Sequence, residues 1–312
     1  MFRLKLVPLK TNIPFIGMRN ITFAVSALLT LASFVLYFTA GLNYGIDFRG
    51  GTMIEVGTEQ AADVGRLRNI VSGLGLGDVQ VQLFGDDKAV LIRLEQHAGG
   101  EQAQQKAVDE VKAALDRDYG SPVSYRRIEL VGPKVSSDLV NDGVLAVVLA
   151  VGAMLVYVWF RYEWQFGVGS VIALVHDVSM TIGVFSLLQL EFNLAIVAAI
   201  LTIVGYSMND TVVVYDRVRE NLRKYKKMPL EELLNLAINE TLSRTTMTAF
   251  TTLLALTVLF IFGGEVIRGF TFAMIWGIFI GTYSSIFIAA PFLLLMGIKR
   301  DWSEQGTAAS KG

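Results

Sequence analysis

Residues 192–215 read FNLAIVAAILTIVGYSMNDTVVVY, uncharged except for Asp210. A bilayer core about 30 Å thick needs roughly 20 helical residues at 1.5 Å each, so this run can cross it. Five further runs of the same kind lie on either side, at 21–40, 143–160, 165–190, 245–264 and 270–298. The third run in chain order, 165–190, is interrupted only by His176 and Asp177, and the last is long enough to tilt. These runs explain why 53% of the 312 residues are hydrophobic and only 18% charged, with a mean hydropathy of +0.51. That balance excludes an ordinary soluble enzyme and a disordered chain. A net charge of −1 gives no bias toward nucleic acid. Cysteine is absent and only His97 and His176 are present, so thiol chemistry is excluded and little remains for a metal cluster.

The first run exceeds the apolar core of a signal peptide, about 7–15 residues, and no small-x-small cleavage site follows it. It reads as a retained helix. Lysine and arginine set the orientation. They crowd the N-terminal segment 1–20 (Arg3, Lys5, Lys10, Arg19), the loop after the fourth run (Arg217, Arg219, Arg223, Lys224, Lys226, Lys227) and the tail 299–312 (Lys299, Arg300, Lys311). The loop after the third run has none, and the loop after the fifth has only Arg268. Six spans with both termini in the cytoplasm satisfy this pattern, and they put the segment between spans one and two outside.

That segment, 43–135, carries 11 basic and 14 acidic residues and is no polyanion-binding surface. A strand is expected at 51–57, a helix at 60–74, strands around Val79–Leu83 and Val90–Leu94 joined by a Gly85-Asp86-Asp87 hairpin, a helix at 102–119 and a strand at 123–130. This βαββαβ order is the ferredoxin-like arrangement, a fold that settles no function. The run Gly73-Leu74-Gly75-Leu76-Gly77 follows a helix and precedes a strand, the reverse of a phosphate loop, so it reads as helix termination.

Charged groups inside hydrocarbon are costly, so each is a candidate for function. The uncharged stretches flanking His176 and Asp177, 164–175 and 178–190, are too short to span separately. The pair therefore lies well inside the membrane, unless the segment is re-entrant. As neighbours on a helix the two point about 100° apart, so they are not expected to face one partner. A functional role and a packing role fit equally. Asp210 has 18 uncharged residues before it, enough to place it at the rim, but the valine run after it argues for immersion. Ser207, Asn209 and Thr211 surround it with hydrogen-bonding groups, and Gly205 allows close helix contact. Immersion makes the anion costly and suits a group that loads and releases a proton. Arg244 begins the fifth span. Its side chain could reach inward, although a snorkelling anchor explains it as well. Glu191, Glu265 and Arg268 are expected to be solvated loop charges. Gly277 and Gly281 mark a small-residue helix contact without naming the partner. Residues 228–242 suggest a cytoplasmic amphipathic helix lying on the membrane, within a loop 216–244, with Leu230, Leu233, Leu234, Ala237 and Ile238 as its apolar stripe.

Two stretches carry a family resemblance. Gly45-Ile46-Asp47-Phe48-Arg49-Gly50-Gly51 resembles the signature of the SecD/SecF protein-export family, within the RND superfamily. Gly205-Tyr206-Ser207-Met208-Asn209-Asp210-Thr211-Val212-Val213-Val214-Tyr215-Asp216-Arg217-Val218-Arg219-Glu220-Asn221 resembles the fourth-span signature of the family's SecF branch. Ala173–Val178 and Glu240–Thr245 are similar to the family as well. The glycines of the first motif permit a tight path from membrane helix into strand, and Asp47 and Arg49 are expected to pair across it, a structural elbow rather than a ligand site.

The resemblance implies an α-helical membrane protein in the bacterial inner membrane, an RND-like half of six transmembrane helices with one extracytoplasmic ferredoxin-like domain between helices 1 and 2. It implies a SecD-type partner, the SecYEG channel, YajC and YidC as further partners, a translocating preprotein, membrane lipids and no nucleic acid. Asp210, Arg244 and Asn209 would form the proton pathway, with His176 and Asp177 as polar support. There would be no metal and no cofactor, the proton being the coupling ion. Two other classes fit the same residues. One is a proton-coupled exporter of small molecules or lipids, and the other is a non-energised scaffold of the export channel. An enzyme is disfavoured, because no nucleophile–base pair stands out.

Overall fold

Of the 312 residues, the computed structural model describes residue 8 and residues 11–96 and 100–298, leaving aside the side chains at 101 and 133. Six helices are long and apolar enough to cross a membrane: Ile16–Thr39, Lys134–Arg161, Trp164–Leu188, Leu194–Lys224, Leu230–Phe262 and Glu265–Leu295. The elements in order are α1 (Arg19–Thr39), β1 (Asn43–Tyr44), α2 (Ile46–Arg49), β2 (Gly51–Thr58), α3 (Val64–Ser72), β3 (Val79–Phe84), β4 (Asp86–Leu94), α4 (Gly100–Asp118) and β5 (Val123–Val131). The bundle follows as α5 (Pro133–Arg161), α6 (Trp164–Leu188), β6 (Glu191–Phe192), α7 (Leu194–Lys224), α8 (Leu230–Phe262), α9 (Glu265–Ser284), a π-helical segment (Ser285–Ala289) and α10 (Ala290–Leu295). His97, Arg3, Lys5, Lys10 and the tail 299–312 lie outside the described residues.

The segment between the first two long helices is a four-stranded antiparallel sheet of order β3-β4-β2-β5, the expected ferredoxin-like arrangement. One face is covered by α3 and α4 through Ile54, Val56, Leu67, Val71, Ile92, Val108, Val111 and Leu115. Helix α3 starts at Val64 rather than at 60, because the Asp63 carboxylate accepts from the Arg66 N–H at 2.9 Å and fixes the first turn there. It ends at Gly73, and the positive φ of Gly75 and Gly77 completes the expected termination. The hairpin turns at Gly85, φ +84°. The other face of the sheet is not left to solvent. Met53 and Leu91 are buried with Ile46 of α2, and Arg93 lies buried beside them.

Within the bundle, α6, α7 and the last span form the interior, with about half of each buried, whereas α1, α5 and α8 keep most of their apolar surface outward. The Gly277/Gly281 contact finds its partner in α7. A Cβ on Gly277 would run into Ile203, and one on Gly281 would stand 3.0 Å from the Ser207 Cβ. The seam is tight because these positions carry no side chain.

The expected surface helix at 228–242, within loop 216–244, is corrected. Residues to Lys224 continue α7, and from Leu230 one unbroken helix of 33 residues runs to Phe262. The apolar stripe is real, but Leu233, Leu234, Ala237 and Ile238 are buried in the bundle's core rather than laid on a membrane surface. A stripe at helical spacing looks the same in either setting. The same end of α8 holds the chain's N-terminal stretch. Asn239 accepts from the Ile13 N–H and donates to the Ile13 carbonyl, both at 2.9 Å, while Asn235 accepts from the Ile16 N–H at 3.0 Å.

Candidate functional site

The middle of the bundle holds two carboxylates. Asp210, on α7, is partly buried. The Thr245 hydroxyl of α8 donates to its Oδ1 at 2.6 Å, and the Ser285 hydroxyl, first residue of the π-helical segment, donates to its Oδ2 at 2.6 Å. Two other helices thus grip one acid. Arg244 precedes Thr245, is exposed, and attracts Asp210 electrostatically, but forms no ion pair with it among the described residues. Asn209 is exposed on the outside of α7. The expectation that Ser207, Asn209 and Thr211 surround Asp210 is therefore corrected. Ser207, on the same face three residues earlier, donates to Asp177 instead, Asn209 points outward, and the carboxylate's partners come from across the bundle. Thr245 and Ser285 were missed because a hydroxyl in an apolar helix ordinarily satisfies itself on a carbonyl one turn back.

Asp177, in the middle of α6, is wholly buried. Its Oδ2 accepts from Ser207 of α7 at 2.6 Å and from Ser284 of α9 at 2.8 Å, and its Oδ1 lies 3.0 Å from His176 Nδ1. The pair expected to point apart does so at the backbone, yet the imidazole swings back onto the neighbouring carboxylate. The other side of the His176 ring meets Tyr283, whose hydroxyl is 2.9 Å from Ser26 of α1. A buried carboxylate with three polar partners is satisfied as such sites require.

The glycine motif forms the junction between sheet domain and bundle. Gly50 and Gly51, at φ +71° and +112°, make the expected elbow. Gly45 has ordinary extended backbone. Its lack of a side chain serves space, since a Cβ would stand 2.8 Å from the Glu191 carboxylate. Asp47 does not pair with Arg49, as expected from spacing. It accepts instead from the Leu194 N–H at 2.9 Å, capping α7 where the first N–H groups lack helical partners. β1 and β6 pair in parallel beside it. Burial, then the neighbouring Tyr37, pushes the Tyr44 hydroxyl up to about 12, so it stays protonated. Of the outer charges, Glu191 is corrected, since it pairs with the buried Arg93. Glu265 and Arg268 pair with each other in the first turn of α9 and stay partly exposed.

Comparison with known proteins agrees with this architecture. A family described as the C-terminal part of the protein export membrane proteins SecD/SecF matches residues 111–299, and the SecD/SecF GG motif matches residues 37–62. The protein translocase subunit SecF of Cereibacter sphaeroides is 47% identical over 314 residues, covering 99% of this chain and 97% of that one. Its counterpart in Rhodobacter capsulatus is 48% identical, covering 96% and 93%. The crystal structure of SecDF, a translocon-associated membrane protein from Thermus thermophilus, superposes with a TM-score of 0.84 at 35% identity over 95% of this chain. SecDF in a super-membrane-facing form gives 0.69 at the same identity over 99% of this chain. The chain spans about two fifths of these solved chains, 40% and 41%, and nearly the whole of the translocase subunits. With its motif, six helices and inserted sheet domain matched in place, this chain belongs to the SecD/SecF family of protein-export membrane proteins.

Proposed function

We propose that this chain is the SecF-type half of an inner-membrane motor that uses the proton-motive force to promote preprotein movement through the SecYEG channel. The partner is a SecD-type subunit, with YajC, YidC and membrane lipids around them. Both termini face the cytoplasm and the sheet domain faces outward, a reading that the basic loops support.

The observation that carries the reading is the grip on Asp210 by Thr245 and Ser285 from two other helices. An ionised carboxylate accepts both hydroxyls. Once protonated it is neutral and has one oxygen that donates, so the two short contacts weaken or rearrange. Helices α7, α8 and the last span then lose a shared fastening. Arg244 and Asn209, exposed beside it, complete the pathway on the face where a second half would pack. No cofactor is required, since one charge crossing 100 mV supplies about 2.3 kcal/mol. The carboxylate changes state, the helices shift, and the domain joined to the head of α7 by Asp47 moves with them.

The test is proton flux in vesicles holding this chain with its SecD-type partner, for wild type and Asp210→Asn at matched abundance. Loss of flux and of export in the variant supports the motor. Flux and export unchanged by Asp210→Asn would overturn it.

A further inference from the structure

Asp177 lies on α6, which gives Asp210 no hydrogen bond among the described residues. Yet Asp177 touches both structures that build the Asp210 site. Through Ser207 it holds α7 three residues before Asp210, on the same helical face. Through Ser284 it holds the residue next to Ser285. Ser284 ends α9, and Ser285 begins the π-helical segment. Consecutive residues there point in different directions, so the last span offers one hydroxyl to each carboxylate at the point where its winding changes. At the same level Gly281 lets the span press against Ser207.

We propose that Asp177 is a positioning residue for Asp210, holding Ser284 so that Ser285 is aimed at the Asp210 carboxylate. The π-helical winding supplies the reason. A helix that departs from regular spacing can settle in more than one rotation about its axis, and a fixed point just before the departure selects one. Asp177 is that fixed point, and His176 keeps it there by occupying its second oxygen. Two serines on one backbone transmit the constraint from one acid to the other without direct contact.

This rests on Asp210 as the proton-carrying group, but its geometry can be read separately. The full chain with its SecD-type partner is reconstituted, and the infrared carboxyl band of Asp210 is identified by its loss in Asp210→Asn. Its frequency reports the hydrogen bonding at that group. Ser285→Ala should shift the band. Asp177→Leu, which removes the acceptor, and Ser284→Ala should shift it to the same place, and Ser284→Ala combined with Ser285→Ala should shift it no further. Ser284→Thr, which keeps the hydroxyl, should restore the wild-type position. Proton flux measured in parallel should fall about tenfold in each alanine variant and no more than about twofold further in the double, as expected for loss of one charge-assisted hydrogen bond. A band that Ser285→Ala moves but Ser284→Ala and Asp177→Leu leave in place overturns the proposal. Should Asp177→Leu fail to accumulate, Ser284→Ala carries the test alone. Wild-type flux that Asp210→Asn leaves unchanged would refute the motor, while the band shifts would still decide whether Asp177 positions Ser285.

Discussion

Arg93 and Glu191 join the two parts of the molecule. Arg93 lies in the sheet, its side chain 8% exposed, and Glu191 stands between the third and fourth long helices. The same guanidinium reaches Asn43 at 3.4 Å, the residue that Glu191 faces in the β1–β6 pairing. Removing one partner of a buried pair leaves the other uncompensated and costs about 3–5 kcal/mol. Glu191 keeps some solvent access, so Arg93→Ala should destabilise by about 3 kcal/mol, the lower end of that range. Arg93→Met together with Glu191→Gln should recover most of it. Calorimetric melting of both variants is the check, and equal losses in the single and the double would refute a coupled pair.

Asp47 should behave as a helix cap. Asp47→Ala should cost about 1 kcal/mol, whereas Asp47→Asn, which keeps an acceptor oxygen, should cost a few tenths. Chemical unfolding of the two variants distinguishes a cap from an ion-pairing role, for which both changes would be equally harmful.

The glycines of the α7–α9 seam should differ in tolerance. Gly277→Ala places a methyl into Ile203 and should cost about 1–3 kcal/mol by overpacking. Gly281→Ala meets Ser207 at 3.0 Å and should cost less. Ile203→Val should rescue part of the Gly277→Ala loss. Thermal melting in detergent would show this order, and a reversed order would contradict the packing.

Thr245 should matter through its hydroxyl. Thr245→Ser should retain proton flux near wild type, and Thr245→Val, similar in shape but unable to donate, should lower it about tenfold or more. Identical flux in the two variants would remove Thr245 from the site.

Asn239 should hold the N-terminal stretch. Asn239→Ala deletes both bonds to Ile13, and proteolysis before the first long helix should then accelerate severalfold while Asn239→Asp, which keeps only the acceptor, lies between. Unchanged cleavage in Asn239→Ala would show that Phe15 and Ile16, both buried, suffice.

The six long helices and the order of the sheet domain were legible because each depends on a run or a period along the chain. What joins distant segments was not. Arg93 sits in an alternating strand and reads as solvent-facing, but its face of the sheet is turned toward the bundle. Thr245 and Ser285 resemble any hydroxyl in an apolar helix until three helices are brought together. The motif Asp47 has a basic neighbour two residues away, whereas its real partner is a backbone N–H 147 positions later. The continuity of α8 was hidden because its stripe fits a membrane surface as well as a protein interior.

Helix α7 is a single rod of 31 residues, about 46 Å long at 1.5 Å per residue. Its head is held by Asp47, its middle by the two hydroxyls on Asp210, and its tail by Glu240 of α8, which accepts from Arg217 at 2.8 Å and from Asn221 at 2.7 Å. A stiff body fastened at three heights has no slack in which to lose a small displacement. If protonation of Asp210 moves its centre as proposed, a rod so fastened carries that displacement to both ends at once, and the sheet domain and the far loops receive the same message from one event rather than two signals in sequence.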